Sequence, residues 1–245
     1  MNKLKPIWHK TTDSTNALAT RLIKHDTPAG GTVIAAGYQS SGRGQAGTRW
    51  ESEPGSNLLF SMILYPGSIR PSGQFMISMS FSLGIAHTLK DEVPEISIKW
   101  PNDIYAGDNK IAGILIENAV AGDRIVHTIA GAGINVNQEV FSAHLPNPVS
   151  MRLLTGKTYD LPSLLDRISQ SIMGWYRHLE SGRREIVVSE YHRMMYRMGQ
   201  MMEWESEGRY FSGKICGVDE LGCLRVVEAD GTEKRYAFKE IRYLP

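Results

Sequence analysis

Cysteine is scarce in this chain. There are two among 245 residues, Cys216 and Cys223, with no C-x-x-C and no neighbouring histidine cluster. That spacing excludes a disulfide framework and speaks against a structural zinc site. Two buried, reduced thiols are expected, which suits the cytoplasm. Long apolar runs are also missing. No stretch approaches the ~20 residues that span a bilayer, and the N-terminal MNKLKPIWHKTTDST lacks the apolar core of a secretory signal. A charge excess is absent too: Lys+Arg is 27 and Asp+Glu 26, a net charge of +1. Proteins that hold nucleic acid through its phosphates are usually distinctly basic, so neither a nucleic-acid nor a membrane partner is expected. The seven histidines are scattered, none at ligand or triad spacing with Cys or Asp, and none is assigned to catalysis. No internal repeat or low-complexity tract occurs.

What remains is ordinary soluble-protein material, 42% apolar and 22% charged, enough for a sizeable core. Ser14 to His25 reads as a helix that Asp13 or Ser14 can cap. Thr32 to Gln39 is β-rich and ends in the loop SSGRGQAG. Asn57 to Tyr65 is a buried strand stopped by Pro66–Gly67. Gln74 to Val93 carries apolar residues at helical spacing. Ile96 to Trp100 is a short strand. Ile104–Tyr105, the turn AGDN and Lys110 to Glu117 form a hairpin. Arg124 to Asn135 is another strand. Asp160 caps a helix with an apolar stripe from Leu161 to Leu179, and a further helix covers Arg184 to Met198. From Gly199 the pattern changes to short alternating segments with turns at Asp219–Gly222 and Asp230–Gly231. A small β-barrel of roughly 45 residues fits, too small to stand alone and therefore docked on the main domain. The expected division is 1–198 and 199–245.

Three constellations carry chemistry. Gly42-Arg43-Gly44-Gln45-Ala46-Gly47 matches G-x-G-x-x-G, but no helix follows: Thr48 to Asn57 is broken by Pro54 and Gly55, so the dinucleotide reading fails. The protein-kinase reading fails as well, because its companion motifs are absent. The glycines still let backbone N–H groups approach an anion, and Arg43 offers a forked donor. A plain surface loop with a solvated arginine is the competing reading. The second constellation is Lys99-Trp100-Pro101-Asn102-Asp103 followed by Lys110-Ile111-Ala112-Gly113. Asp103 can give Mg²⁺ an oxygen ligand, and Lys110 can offset charge developing on a phosphoryl or carboxyl oxygen. An exposed hairpin with a charge at each shoulder is the alternative. The third is Gly131-Ala132-Gly133-Ile134-Asn135, where small residues at a strand end admit a ligand closely, or simply let the strand pack, and Asn135 offers an amide at the lip. Ser14, Thr15 and Asn16 can cap the first helix or hydrogen-bond a small polar ligand.

In this order the constellations resemble the biotin–protein ligase (biotin–[acetyl-CoA-carboxylase] ligase) family. The resemblance rests on Asp13-Ser14-Thr15-Asn16, Gln39 through Trp50, Asn57-Leu58-Leu59-Phe60-Ser61, KWPND, Lys110-Ile111-Ala112-Gly113-Ile114-Leu115 and Gly131 to Asn135. KWPND followed by K-x-A-G-I-L is its specific part. The resemblance implies an α/β (α+β) fold: a mixed, largely antiparallel sheet flanked by helices, related to class II aminoacyl-tRNA synthetases, plus a small C-terminal SH3-like β-barrel. It implies ATP and Mg²⁺ as cofactors and biotin as substrate. Biotin is activated to biotinyl-5′-AMP, and the biotinyl group then passes to a lysine on a biotin carboxyl carrier domain. A homodimer is an assembly it allows.

By the same resemblance Lys110, Arg43 and Asp103 are catalytic. Biotin is bound by Ser14, Thr15, Asn16, Gln39, Gly42, Arg43, Gly44, Gln45, Lys110, Gly113 and Leu115. The nucleotide is bound by Arg43, Trp50, Asn57, Asp103, Lys110 and Asn135, with Asp103 as the Mg²⁺ ligand. Relatives often carry a second arginine where this chain has Gln45, which implies a less firmly held intermediate or another group in its place. Some relatives also carry an N-terminal helix-turn-helix. Here Asp13-Ser14-Thr15 begins within a dozen or so residues of Met1, so a ligase form without that domain is expected. Lipoate–protein ligase is the sibling alternative, against which KWPND and GRGQAG favour biotin; a non-catalytic module that holds the adenylate is another.

Overall fold

The computed structural model describes residues 5–244. In chain order the elements are β1 (Ile7–His9), α1 (Thr15–His25), β2 (Val33–Ala36), β3 (Leu58–Leu64), α2 (Phe75–Lys90), β4 (Ile96–Lys99), β5 (Asp103–Ala106), β6 (Asn109–Ala121), β7 (Arg124–Ile134), α3 (Met151–Thr155), α4 (Leu161–Glu180) and α5 (Arg184–Met194). Five short strands follow: β8 (Met201–Ser206), β9 (Arg209–Val218), β10 (Leu224–Glu228), β11 (Glu233–Tyr236) and β12 (Arg242–Tyr243).

The first sheet has seven strands in the order β1-β2-β3-β7-β6-β5-β4. Only β1–β2 is parallel; the other ladders are antiparallel. A mixed, largely antiparallel sheet flanked by helices is therefore what the chain builds. Successive strand side chains point to opposite faces, and here the two faces differ in kind. Val33, Ala35, Leu58, Phe60, Met62, Leu64, Ala112, Ile114, Ala130 and Ala132 belong to the large core shared with α2 and α4. Their neighbours Ile34, Ile63 and Ile129 pack with Ala19 under α1 in a separate small cluster. Next to them on that second face stand Ser61, Gly113, Leu115, Glu117, Gly131 and Gly133, all but Leu115 small or polar. An apolar layer cannot close over them, and this is where a cleft opens.

α4 follows its sequence pattern closely. The Asp160 carboxylate accepts the Ser163 N–H at 3.0 Å as N-cap, and Leu164, Leu165, Ile168, Ile172, Tyr176 and Leu179 are buried. α5 ends four residues earlier than the expected Met198. Beyond Met194 the chain leaves the helix to run beside β4, with Tyr196 N–H bonded to the Ile98 carbonyl at 2.9 Å.

The C-terminal strands make a five-stranded antiparallel sheet, β11-β10-β9-β8-β12, which fits the expected SH3-like barrel. Trp204, Ile215, Val218, Leu224, Val226 and Tyr236 from this sheet join the same continuous core as the α2–α4 layer. The thiols of Cys216 and Cys223 are unpaired but only half-buried, rather than fully buried as their sparse occurrence suggested. Among the described residues no helix is long and apolar enough to cross a membrane.

Candidate active site

The cleft on the α1 face has a volume of about 430 Å³ and is walled by four parts of the chain. Ser14, Thr15 and Asn16 come from the start of α1. Gln39, Arg43, Gly44, Gln45, Thr48, Arg49 and Trp50 come from the glycine loop. Pro101 to Asp103, Lys110, Gly113 to Leu115 and Gly131 to Gly133 come from the sheet. Phe238 and Lys239 come from the turn between β11 and β12.

The α1 end is a hydrogen-bonded relay. Ser14 occupies the N-cap position, yet its hydroxyl caps nothing. Two N–H groups at this end are taken by other residues: Ser14 N–H by the Asp13 carboxylate at 2.8 Å and Thr15 N–H by Gln39 Oε1 at 2.7 Å. Arg21 grips Asp13 with both guanidinium nitrogens at 2.8 Å, which holds that carboxyl well below the usual carboxylate range. The Ser14 hydroxyl is thus left to serve the cleft. Ser61 Oγ lies 2.7 Å from Thr15 Oγ1 and 2.5 Å from Asn16 Oδ1. Asn16 Nδ2 donates to Glu117 Oε2 at 2.7 Å, and Arg43 Nη2 reaches the same oxygen at 3.2 Å. Glu117 and Ser61 join the loop arginine to α1, and sequence reasoning missed both. The available signals were a lone serine inside the otherwise apolar run LLFSMIL of β3 and a glutamate directly after the apolar run ILI of β6.

The glycines of β6 and β7 exist for close approach. A Cβ on Gly131 would stand 2.1 Å from Asn16 Oδ1, one on Gly133 would stand 2.3 Å from Trp50 Cε2, and one on Gly113 would stand 2.9 Å from the same indole. The Trp50 ring therefore covers the paired Gly113 and Gly133. Its Nε1–H is buried without a partner, as is Gln45 Oε1. Buried polar atoms are rarely left so, and these two edge a cavity large enough for a ligand.

At the other end Lys110 Nζ stands 2.7 Å from Asp103 Oδ1, off the axis of a good hydrogen bond, so that oxygen also receives no aligned donor. The ammonium lies 5.9 Å from the Trp50 ring centroid. Asp103 and Lys110 sit on neighbouring strands because β5 pairs with β6 across the AGDN turn.

The KWPND run divides its work. Asp103 and its two predecessors face the cleft. Asn102 Nδ2 donates to the Ile114 carbonyl at 2.6 Å and fixes the turn. Lys99 and Trp100 face away from the ligand space. Lys99 Nζ lies 4.5 Å from the ring centroids of Tyr105 and Tyr243 and 5.4 Å from that of Tyr196. The Trp100 indole donates to the Gly222 carbonyl at 2.9 Å. They bind the C-terminal sheet to the first.

Three expected ligand-binding residues do not reach the cleft wall. Asn57 is buried, and its amide bonds Val136 N–H and Gln138 Oε1. Asn135 is buried, with Nδ2 donating to the Val149 carbonyl at 3.1 Å. Both amides are spent on the framework, so neither stands at the lip. Gly42 lies beneath Trp50, where a Cβ would meet the Trp50 carbonyl oxygen at 2.5 Å; it shapes the loop instead of lining the space. The expected Mg²⁺ ligand, Asp103, lines the cleft with its Oδ1 2.7 Å from Lys110 Nζ. Among the described residues no three His, Cys, Asp or Glu side chains gather around it. Mg²⁺ commonly enters on substrate phosphates with one or two carboxylates.

Four cationic side chains (Arg43, Arg49, Lys110 and Lys239) and one carboxylate, Asp103, line the cleft, with Glu117 behind Arg43 as a second. That balance selects anionic ligands. A family model described as "Biotin/lipoate A/B protein ligase family" matches residues 8–135, which hold every cleft segment except Phe238 and Lys239. The chain belongs to the biotin/lipoate A/B protein ligase family. This family member is 27% identical over 235 residues to the bifunctional ligase/repressor BirA of Bacillus subtilis, covering 94% of this chain and 72% of the relative. It is 26% identical over 224 residues to the biotin–[acetyl-CoA-carboxylase] ligase of Paracoccus denitrificans, covering 87% and 90%. Among solved structures, it is similar to the biotin protein ligase from Aquifex aeolicus in complex with biotin and ATP. There the TM-score is 0.81 and the identity 27%, with 98% of both chains covered.

Proposed function

We propose that this family member activates biotin with ATP to biotinyl-5′-AMP and transfers the biotinyl group to a lysine of a biotin carboxyl carrier domain. The reading rests above all on one juxtaposition: a relay of small polar groups at α1 and a lysine–carboxylate pair at the β5–β6 hairpin, facing each other across one cationic cleft. The similarity to the Aquifex ligase with biotin and ATP supports the choice of ligands.

A carboxylate does not acylate an amine, because its leaving group would be oxide. Adenylation removes that obstacle. A biotin carboxylate oxygen attacks the α-phosphorus, the bond to the bridging oxygen breaks, and pyrophosphate leaves. A neutral lysine amine of the carrier then attacks the acyl carbon, AMP departs as a good leaving group, and one proton is lost. Both reactants of the first step are anions. Arg43 and Lys110 offset their repulsion, and Lys110 also meets the charge that grows on the phosphoryl oxygens. Asp103 orients the Lys110 ammonium and accepts the proton of the incoming amine. Ser14, Thr15 and Gln39 receive the ureido ring and tail of biotin, with Gly113 and Leu115 on its apolar side. Trp50 moves off Gly113 and Gly133 and stacks near the adenine as the loop closes and excludes water. Residues 1–198 carry this chemistry, and residues 199–245 supply the last wall.

The test is ATP-dependent labelling of a carrier domain, with biotin omitted as control and lipoate offered in a parallel arm. Biotin-dependent pyrophosphate release followed by carrier labelling is the expected result. Release driven by lipoate alone would move the substrate to the sibling ligase, and adenylate formation without transfer to any carrier would end the transfer step.

A further inference from the structure

The glycine loop has a shape of its own but little that attaches it. Gly44 N–H bonds the Thr48 carbonyl at 2.7 Å and Trp50 N–H bonds the Gly42 carbonyl at 3.1 Å, so the segment folds back on itself around a short 3-10 turn at Gln45–Gly47. The Arg49 side chain also turns inward, to the Ser40 carbonyl. Among the described residues, a single hydrogen-bonded ion pair ties the stretch from Gly42 to Arg49 to another element of the fold: Arg43 Nη2 lies 3.2 Å from Glu117 Oε2.

The anchor is a rigid one. Glu117 stands on β6 opposite Ile129 of β7, with strands on both sides. The same Oε2 accepts the Asn16 amide N–H at 2.7 Å, and Asn16 is fixed in turn by Ser61 on β3. One carboxylate oxygen thus carries both the loop arginine and the amide of the α1 relay. Arg43 and Asn16 line the cleft, whereas Glu117 does not. It engages one nitrogen of a guanidinium that offers five N–H donors in a fork, which leaves the rest of the fork to an anion. Charge alone does not account for this carboxylate. A negative group beside a cationic cleft weakens its pull on anions, and an ion pair this exposed adds little to stability. What remains is geometry.

We infer that Glu117 is a positioning residue for adenylation: its Oε2 fixes the Arg43 guanidinium relative to the α1 relay, so that the loop cation and the seat for biotin keep one geometry. This rests on the activity proposed above and deepens it. Glu117 touches neither reactant and acts through Arg43. Without it the loop keeps its internal bonds and loses its tie to the sheet, and a cation displaced by about 1 Å can cost up to ~10²-fold in rate.

Charge and geometry predict opposite signs, and the test uses that. Removing a carboxylate makes the cleft more positive, so a purely electrostatic role predicts faster adenylation. Positioning predicts that Glu117→Ala slows pre-steady-state pyrophosphate release about tenfold at saturating biotin and MgATP, with KM for MgATP no higher than native and the thermal midpoint little changed. Glu117→Gln still offers one oxygen to both donors and should recover most of the rate. Because Glu117 acts through Arg43, adding Glu117→Ala to Arg43→Ala should slow that variant by less than about twofold, a non-additivity that a double-mutant cycle measures. Native or faster release in Glu117→Ala would overturn the inference. An equal further loss in the Arg43→Ala background would overturn it too, since Glu117 would then act only on the α1 relay. Native protein that releases no pyrophosphate with biotin would overturn the proposed function and this inference with it, whereas native release that Glu117→Ala leaves untouched overturns the inference alone.

Discussion

Replacing Lys110 by alanine should slow adenylation by about two orders of magnitude without unfolding the protein. An ammonium about 4 Å from a phosphoryl oxygen contributes about 4 kcal/mol at the effective dielectric of a protein surface. A third of the Lys110 side chain is exposed, so solvent screens part of this and roughly 3 kcal/mol remains. At 1.36 kcal/mol per tenfold that is ~10²-fold in rate. The neighbour matters as well. Without the ammonium 2.7 Å away, the Asp103 carboxylate faces the phosphates uncompensated and adds repulsion. The double variant Lys110→Ala/Asp103→Asn should therefore recover part of the adenylation rate lost by Lys110→Ala alone, a coupling that a double-mutant cycle isolates. Pre-steady-state pyrophosphate release with saturating biotin reads the step directly, and thermal melting checks the fold; a pair that solvent still reaches should move the melting point little. Native turnover in Lys110→Ala, or a double variant no faster than the single, would refute this account of the hairpin.

Gly131→Ala should damage the biotin end. The new methyl meets Asn16 Oδ1 at 2.1 Å, and Asn16 cannot swing aside because Ser61 and Glu117 both hold it. Overpacking of this kind costs about 1–3 kcal/mol, and KM for biotin should rise while KM for MgATP changes less; an unchanged biotin KM would show that the relay does not bind it. Gln45→Arg adds a cation beside the expected adenylate and should slow its release, measured as biotinyl-AMP loss from preloaded protein, and equal release rates would end that idea. His192 links α5 to the C-terminal sheet by accepting Val218 N–H at 2.9 Å, and burial pushes its imidazole below the ordinary value. Between the folded value and the unfolded one near ~6.5, the unfolded chain binds more protons. Stability must then fall as pH drops from about 7 toward 5 and return above that range. The melting temperature of His192→Gln, which keeps an acceptor but does not titrate, should depend less steeply on pH than that of the native protein.

Elements that carry their own local signal were legible in the sequence. α4 has a cap, a stripe and a length, and the AGDN hairpin has a turn that permits one pairing. β1 was missed because three residues become a strand only by lying parallel to β2. α3 was missed because five residues make too short a stripe, although Ser150 caps it through Leu153 N–H at 3.2 Å. The end of α5 was misplaced because a contact with β4, nearly a hundred residues earlier, stops it. The same division holds in the cleft. The glycine loop, the KWPND turn and Lys110 stand out because their residue types are unusual at that spacing. Asn57 and Asn135 look like ligand-binding amides until distant partners are known: Gln138 for one and the Val149 carbonyl for the other. Phe238 and Lys239 carry no local sign of where the second sheet will place them.

The seam between the two sheets has a practical consequence. Lys99 among three tyrosines, the Trp100 indole bonded to Gly222 and the shared apolar interior leave neither half able to finish itself. A chain severed just ahead of β8 would yield two fragments that are soluble at best as partners. Fused separately to two interacting proteins, they would regain labelling activity only when brought together, a proximity reporter whose off state is set by the exposed faces of Trp100 and Tyr243.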